Sequence, residues 1–107
     1  MIENLKALGT FDEKMFHQFC SARGIKKVLV FGSVLSGQFN AKSDIDLIVE
    51  FEDGMTPGLI AFSGIMVDFS EKFFGKRKVD LLTRKMLRGE LGELILRSAE
   101  VIYEKAA

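Results

Sequence analysis

A chain of 107 residues with 48% apolar content is long enough for one compact domain with a single core, and it excludes two such domains. Its 15 basic and 15 acidic residues cancel, which excludes strong overall attraction to a nucleic-acid backbone or an anionic membrane, so any anion site must be local. The single cysteine excludes an internal disulfide, and the lack of a signal-peptide pattern or an apolar run of about 20 residues favours a cytoplasmic protein over a membrane protein.

Hydrophobic periodicity and turn signals predict helical and extended segments in the order α-β-(α)-β-α-β-α-(β). In chain order they are a helix over 11–23, a strand over 26–31, a short helix beginning within 32–37, a strand over 44–51, a helix over 57–74, a strand over 77–83, a helix carrying Leu87, Leu91, Leu94 and Ile95, and a short edge strand at 101–103. No internal repeat or linker-like segment interrupts this order. The sequence therefore predicts a single domain over residues 1–107.

Capping residues set the expected helix ends. The segment from Thr10 to Glu13 fits a capping box for the first helix, and Gly24 offers its C-terminal stop. Thr56 is the expected cap of the long helix, with Pro57 at its first helical position and Gly75 after its end.

The long helix has a wider apolar face than one sheet needs. Two parallel lines of apolar side chains follow it, one of Leu59, Phe62, Met66, Phe69 and Phe73, the other of Ile60, Val67 and Phe74. Core packing alone explains this width, and so does a core on one side with an interface to another subunit, in a homo-oligomer or a hetero-oligomer, on the other.

Three aspartates and a small-residue turn form the candidate site. Gly32 and Ser33 follow a buried strand through a turn whose backbone amides can face an anion. Asp44 and Asp46 lie two residues apart at the start of the next strand, so both carboxylates project from one face with Cα atoms about 6.5 Å apart. Two such carboxylates can bridge a pair of Mg²⁺ ions, and Asp80 in the third predicted strand is the candidate third ligand. Without metal, crowded carboxylates repel, so at least one of their pKa values should be raised.

Two other readings of this region fail. The glycines at 32 and 37 resemble the start of a P-loop, but Gln38 and Phe39 replace the required lysine and hydroxyl residue. A calcium loop starting at Asp44 would need glycine in place of Val49 and glutamate in place of Met55.

Other chemically interesting residues are weaker candidates. His17 and Cys20 share a helix face, but two ligands without others nearby indicate ordinary helix packing rather than a zinc site. The basic runs at 76–78 and 84–88 flank Asp80; such runs are usually solvated, although these could contact a triphosphate or an RNA acceptor.

The Gly32-Ser33 turn, the Ser43-Asp44-x-Asp46-Leu47 strand about ten residues later and the isolated Asp80 together resemble a minimal nucleotidyltransferase of the DNA polymerase β superfamily over nearly the whole chain. The resemblance implies an α/β (α+β) fold in which helices flank a small mixed sheet. Many relatives carry an arginine three residues after the motif serine; this chain has Ser36 there, which removes one expected phosphate contact.

The resemblance also implies the role of each motif residue. Gly32, Ser33 and Ser43 would bind the nucleotide, a nucleoside triphosphate that is expected to be ATP. Asp44 and Asp46 would hold two Mg²⁺ ions. Asp80 would help to bind one of the ions and to activate the attacking hydroxyl.

Small members of this family are commonly encoded beside a helical HEPN-domain toxin and act as its antitoxin, some by transferring AMP to it. Two hypotheses follow: an enzyme that transfers a nucleoside monophosphate, most simply AMP, to a hydroxyl on a partner protein, or an antitoxin with a weak or inactive site that neutralises its partner by direct binding. A small-molecule acceptor such as an aminoglycoside is less well supported, because relatives with that activity carry extra domains. An RNA acceptor is disfavoured by the zero net charge.

Overall fold

The computed structural model describes Leu5, residues 11–32 and residues 43–106. Its regular elements follow the predicted order: α1 Glu13–Ala22, β1 Ile25–Phe31, β2 Ile45–Phe51, α2 Leu59–Phe73, β3 Val79–Thr83, a 3₁₀ turn Arg84–Met86, α3 Gly89–Ser98 and β4 Glu100–Glu104. The short helix that we predicted to begin within 32–37 lies outside the described residues, apart from Gly32.

The four strands form one mixed sheet in the order β3-β2-β1-β4. β1 pairs antiparallel with both β2 and β4, whereas β2 and β3 are parallel and are connected by α2. The predicted edge strand is therefore confirmed as β4, and the mixed sheet flanked by helices agrees with the expected fold class. Because β2 and β3 run in the same direction, residues at the start of both strands meet at one edge of the sheet.

The described elements pack around one hydrophobic cluster. β1 and β2 each carry a continuous run of three buried residues, as expected for central strands covered on both faces. Phenylalanines join the helices: the ring of Phe16 on α1 lies 5.1 Å from the rings of Phe69 and Phe73 on α2, measured between centroids. This aromatic contact fixes α2 against α1.

Two predicted helix caps are wrong. α1 is capped by Asp12 instead of Thr10: its Oδ1 accepts a hydrogen bond of 3.1 Å from the Met15 amide, and a carboxylate also interacts favourably with the partial positive charge of a helix N-terminus. α2 begins after Gly58 instead of after Thr56, because glycine disfavours helical backbone and the helix starts once it has been passed.

The predicted glycine stops are confirmed. Gly24 directly follows the C-cap of α1, and Gly75 directly follows the C-cap of α2. Their φ angles are +68° and +62°, in the left-handed region where glycine replaces other residues at helix ends.

The two apolar lines of α2 have different environments. Ile65, Phe69 and Phe73 are buried in the core, whereas Leu59 and Ile60 are 82% and 90% exposed. The face is thus core along part of the helix and surface at its N-terminal end. None of the described helices combines the length and the apolar character needed to cross a membrane.

Candidate active site

The parallel pairing of β2 and β3 brings two of the three predicted aspartates side by side. Asp46, the second residue of β2, is in register with Asp80, the second residue of β3. Neighbouring strands lie about 4.8 Å apart, so these carboxylates start from adjacent backbone positions. Asp44 lies immediately before β2 and is exposed, while Asp46 and Asp80 are half-buried. The two strand aspartates are therefore brought together at the sheet edge that Asp44 adjoins.

The carboxylates influence one another strongly at Asp46. Burial, the negative charges of Asp80 and Asp44, and a hydrogen bond with the Asp80 side chain raise the pKa of Asp46 from 3.8 to about 6, against a lowering effect of Lys78. A hydrogen bond between two carboxyl groups requires one of them to hold a proton. The expected crowding of charge is thus centred on Asp46.

Gly32 contacts the same carboxylate from β1. Its backbone has φ +76°, and a Cβ atom built on it would come within 2.5 Å of Asp46 Oδ2. Phe31, the last residue of β1, is in register with Asp46, which explains how the following residue reaches that side chain. Glycine is required here both for the left-handed backbone and for the close approach to Asp46.

The turn between α2 and β3 adds two residues to the site whose individual roles the sequence did not indicate. Lys78 Nζ lies 3.8 Å from Asp80 Oδ1 and supplies a positive charge beside the carboxylates. Arg77 Nη1 donates a hydrogen bond of 3.0 Å to the Ser43 carbonyl, directly before Asp44. The basic run at 76–78 was visible in the sequence, but only the fold shows which of its side chains faces which partner.

The other candidate residues have different outcomes. Ser43 is half-buried beside Asp44, whereas Ser33 and Ser36 lie outside the described residues. His17 and Cys20 take part in packing: His17 Nε2 is 3.3 Å from the Ile102 carbonyl oxygen and its ring packs edge-on against Tyr103, while burial raises the pKa of the Cys20 thiol to about 12. Neither belongs to the aspartate site.

The donor set fits a hard divalent cation. Within residues 11–32 and 43–106, no three acidic, histidine or cysteine side chains form a ready-made metal cluster, so the fit depends on donor chemistry and placement. Carboxylate oxygens are the ligands that Mg²⁺ prefers, and the mutual repulsion that raises the pKa of Asp46 is what a bound cation would relieve. Asp44, Asp46 and Asp80 are the residues that could hold it.

Comparisons with known proteins agree with this site. A family model described as polymerase beta nucleotidyltransferase matches residues 13–107. Protein adenylyltransferase MntA of Thermococcus cleftensis is 34% identical over 80 residues, which are 75% of this chain and 75% of that protein.

Two solved structures share the fold. One, assigned as a minimal nucleotidyltransferase, is 31% identical with a TM-score of 0.66 and covers 82% of this chain and 86% of its own. The other is a crystal structure of a toxin-antitoxin with AMP-PNP, with 18% identity and a TM-score of 0.68, covering 89% of this chain and 75% of its own. Because the family model spans residues 13–107 and a relative above 30% identity is covered over three quarters of its length, the chain belongs to the polymerase β nucleotidyltransferase family and is a nucleotidyltransferase.

Proposed function

We propose that this nucleotidyltransferase transfers AMP from ATP to a hydroxyl group on a partner protein, with two Mg²⁺ ions, as the antitoxin of a pair whose toxin carries a HEPN domain. The observation that carries the proposal is the register of Asp46 with Asp80 beside Asp44, which gathers three carboxylates at one sheet edge. Because ATP is the donor, the cytoplasm is the expected compartment.

Each carboxylate has a role in this proposal. Asp44 and Asp46 hold the metal ions, which when bound neutralise the triphosphate and stabilise charge on its α-phosphate. Asp80 shares one ion and receives the proton of the acceptor hydroxyl as its oxygen attacks the α-phosphorus. The bond from that phosphorus to the bridging oxygen of the β-phosphate breaks, and pyrophosphate leaves with both of its electrons.

Gly32 is placed to position the nucleotide relative to the carboxylates. It ends β1 beside Asp46, so the amides that follow it begin at the edge where the carboxylates lie. Backbone amides in such a turn bind phosphate oxygens without side-chain bulk. Ser33 and Ser43 are proposed to add hydroxyl contacts to the nucleotide. Positioning and charge neutralisation supply most of the rate in phosphoryl-type transfer.

The choice of acceptor is supported by the relatives. The Thermococcus protein is named a protein adenylyltransferase, and one structural neighbour is a toxin-antitoxin complex with AMP-PNP, a non-hydrolysable form of ATP. The chain itself has a net charge of zero, which disfavours a nucleic-acid acceptor. A helical HEPN-domain toxin as the acceptor is the finer part of the proposal.

Direct binding without catalysis is the second candidate, and the start of α2 favours it. Leu59 and Ile60 are adjacent, large and apolar, and they are 82% and 90% exposed. Neighbouring apolar side chains on a protein surface are typical of contact sites. An antitoxin with a weak metal site could neutralise its partner through such a surface alone.

Label transfer separates the two functions. The purified protein is incubated with Mg²⁺ and ATP labelled at the α-phosphate in a lysate of its source, alongside Asp44→Ala. We expect a protein band labelled from the α position, at least about 100-fold weaker in the variant, because removing an electrostatic stabiliser of the transition state costs about that much. ATP labelled at the γ-phosphate controls for kinases and should give no band that depends on Asp44.

The same experiment can contradict the enzyme. No labelled band, together with no ATP binding by titration, would favour the contact-only antitoxin. Conversely, an Asp44→Ala, Asp46→Ala double variant that still binds its partner but no longer neutralises it would exclude neutralisation by contact alone.

Gly32→Ala should reduce transfer through Asp46. The new methyl group would approach Oδ2, the free end of the Asp46 side chain, so that carboxylate must move. A displacement of about 1 Å in a catalytic group can cost roughly 100-fold in rate. The measurement is label transfer, compared with the thermal stability of the same variant.

Gly54→Ala is the matched control. Gly54 has φ +75°, nearly the same as Gly32, but its added Cβ would meet nothing within 4 Å. Both variants should lose about 1 kcal/mol of stability from the left-handed backbone, and only Gly32→Ala should lose activity. Equal activity in the two variants would show that the contact between Gly32 and Asp46 has no catalytic consequence.

A further inference from the structure

We propose that Arg77 is a positioning residue for Asp44, an inference that rests on the proposed function of the aspartate site. Arg77 lies 33 residues after Asp44 in the sequence and does not belong to any of the motifs that identify the family. Its guanidinium Nη1 donates a hydrogen bond of 3.0 Å to the carbonyl oxygen of Ser43, the residue directly before Asp44. Hydrogen bonds with a charged donor are about twice as strong as neutral ones.

A second hydrogen bond from the same turn holds the other side of Asp44. The amide of Ile45 donates to the carbonyl oxygen of Lys78 at 2.9 Å, at the start of the parallel pairing of β2 with β3. The residues before and after Asp44 are thus both bonded to the turn at 75–78. Asp44 itself precedes the strand and is exposed, so these two contacts fix the direction of its backbone.

The turn that supplies these contacts is itself well fixed. The Ser70 hydroxyl donates to the Arg77 carbonyl, the Arg77 amide donates to the Phe74 carbonyl at 3.1 Å, and the Lys76 amide donates to the Ser70 carbonyl at 2.8 Å. Gly75 adopts φ +62°, which lets the chain reverse directly after α2. The position of Arg77 is therefore determined by α2, and α2 is fixed in the core by its buried phenylalanines.

Arg77 and Lys78 then divide the work at this edge. Lys78 lies 3.8 Å from Asp80 and lowers the pKa of Asp46, so it acts by charge. Arg77 acts through the backbone of Ser43. Outer contacts of this kind, which orient a ligand without touching the metal, typically contribute 10- to 100-fold to metal affinity.

Two measurements on Arg77→Ala test the proposal. Amide hydrogen exchange of the metal-free protein should show Ile45 exchanging at least about tenfold faster than in the wild type, because one of the two contacts around Asp44 is lost. Titration with Mn²⁺, an oxygen-binding stand-in for Mg²⁺, should show an affinity 10- to 100-fold lower. Added guanidinium ion at millimolar concentration should restore part of that affinity.

Control variants separate positioning from general destabilisation. Arg84→Ala removes an exposed arginine whose Nη1 lies 3.6 Å from Glu50 Oε2, near the other end of β2, and it should change neither measurement. Arg77→Lys keeps the positive charge but loses the planar guanidinium, and it should recover only part of the Mn²⁺ affinity. A merely structural role for Arg77 would lower the melting temperature without rescue by guanidinium.

The outcomes distinguish this inference from the proposed function. If the wild-type protein binds no Mn²⁺ while Ile45 exchange rises in Arg77→Ala, the metal site is refuted, and the backbone role of Arg77 is retained. If Mn²⁺ affinity falls in Asp44→Ala but both the affinity and the Ile45 exchange rate are unchanged in Arg77→Ala, the positioning role is overturned.

Discussion

Asp46→Asn is expected to abolish nucleotidyl transfer and, in the absence of metal, to make the protein more stable at neutral pH. The pKa of Asp46 is raised to about 6 by burial and by the charges of Asp80 and Asp44, so its ionised form is disfavoured in the folded state. An asparagine amide carries no charge and can donate a hydrogen bond to Asp80, as the protonated Asp46 does. Losing one metal-binding carboxylate should lower transfer by about 100-fold or more.

The pH dependence follows from the direction of the shift. Asp46 binds its proton more tightly in the folded protein than at its ordinary pKa of 3.8. The associated stability is fully present below pH 3.8 and is lost as the pH rises through about 6, because folding then holds a carboxylate that repels its neighbours. A shift of about two units corresponds to at most about 3 kcal/mol, which solvent screening reduces to about 1 to 2 kcal/mol.

Melting temperatures in EDTA from pH 4 to pH 8 measure this effect. The difference between Asp46→Asn and the wild type should be small near pH 4 and should grow in favour of the variant up to pH 7. Other titrating groups contribute equally to both proteins and cancel in the difference. Asp44→Asn should stabilise in the same direction but less, because Asp44 is exposed and acts on Asp46 only by its charge. A wild type more stable than Asp46→Asn at pH 7 without metal would mean that the carboxylate has a structural role.

The carboxylates of the site were predictable because their signal is local. Alternation along an apolar strand places Asp46 and Asp80 between buried neighbours, and the predicted strands agree with β2 and β3 to within two residues at each end. Pairing of parallel strands then brings the two aspartates together in register. Their chemistry and their placement both come from short stretches of sequence.

The contacts that support the site could not be predicted in the same way. Arg77 reaches Ser43 across 34 residues, and the contact of Gly32 with Asp46 depends on the register of β1 with β2. A run of three basic residues reads as a solvated turn until the sheet order is known. The failed helix caps have another cause: Thr10 and Thr56 are acceptable caps, and competing residues nearby, Asp12 and Gly58, determined where the helices begin.

Phe16→Ala should destabilise the protein more than any other prediction made for this chain. Phe16 is fully buried on α1, and its ring centroid lies 5.1 to 6.0 Å from the rings of Phe69, Phe73 and Phe74 and 5.2 Å from that of Phe11. Removing a buried phenylalanine side chain typically costs about 3 to 5 kcal/mol, from lost burial and from the cavity left behind. Urea unfolding followed by circular dichroism measures the loss.

Phe62→Ala is the control for this substitution. Phe62 lies on α2 but is only half-buried, and its ring is 6.3 Å from that of Phe51. It should cost less than about 2 kcal/mol, since partial burial contributes proportionately less. Equal losses in the two variants would show that α1 is not an integral part of the core. The difference also bears on the site: Phe16 packs on the helix that ends at the Arg77 turn, so a loss confined to stability would mean that the turn keeps its position while the folded state persists.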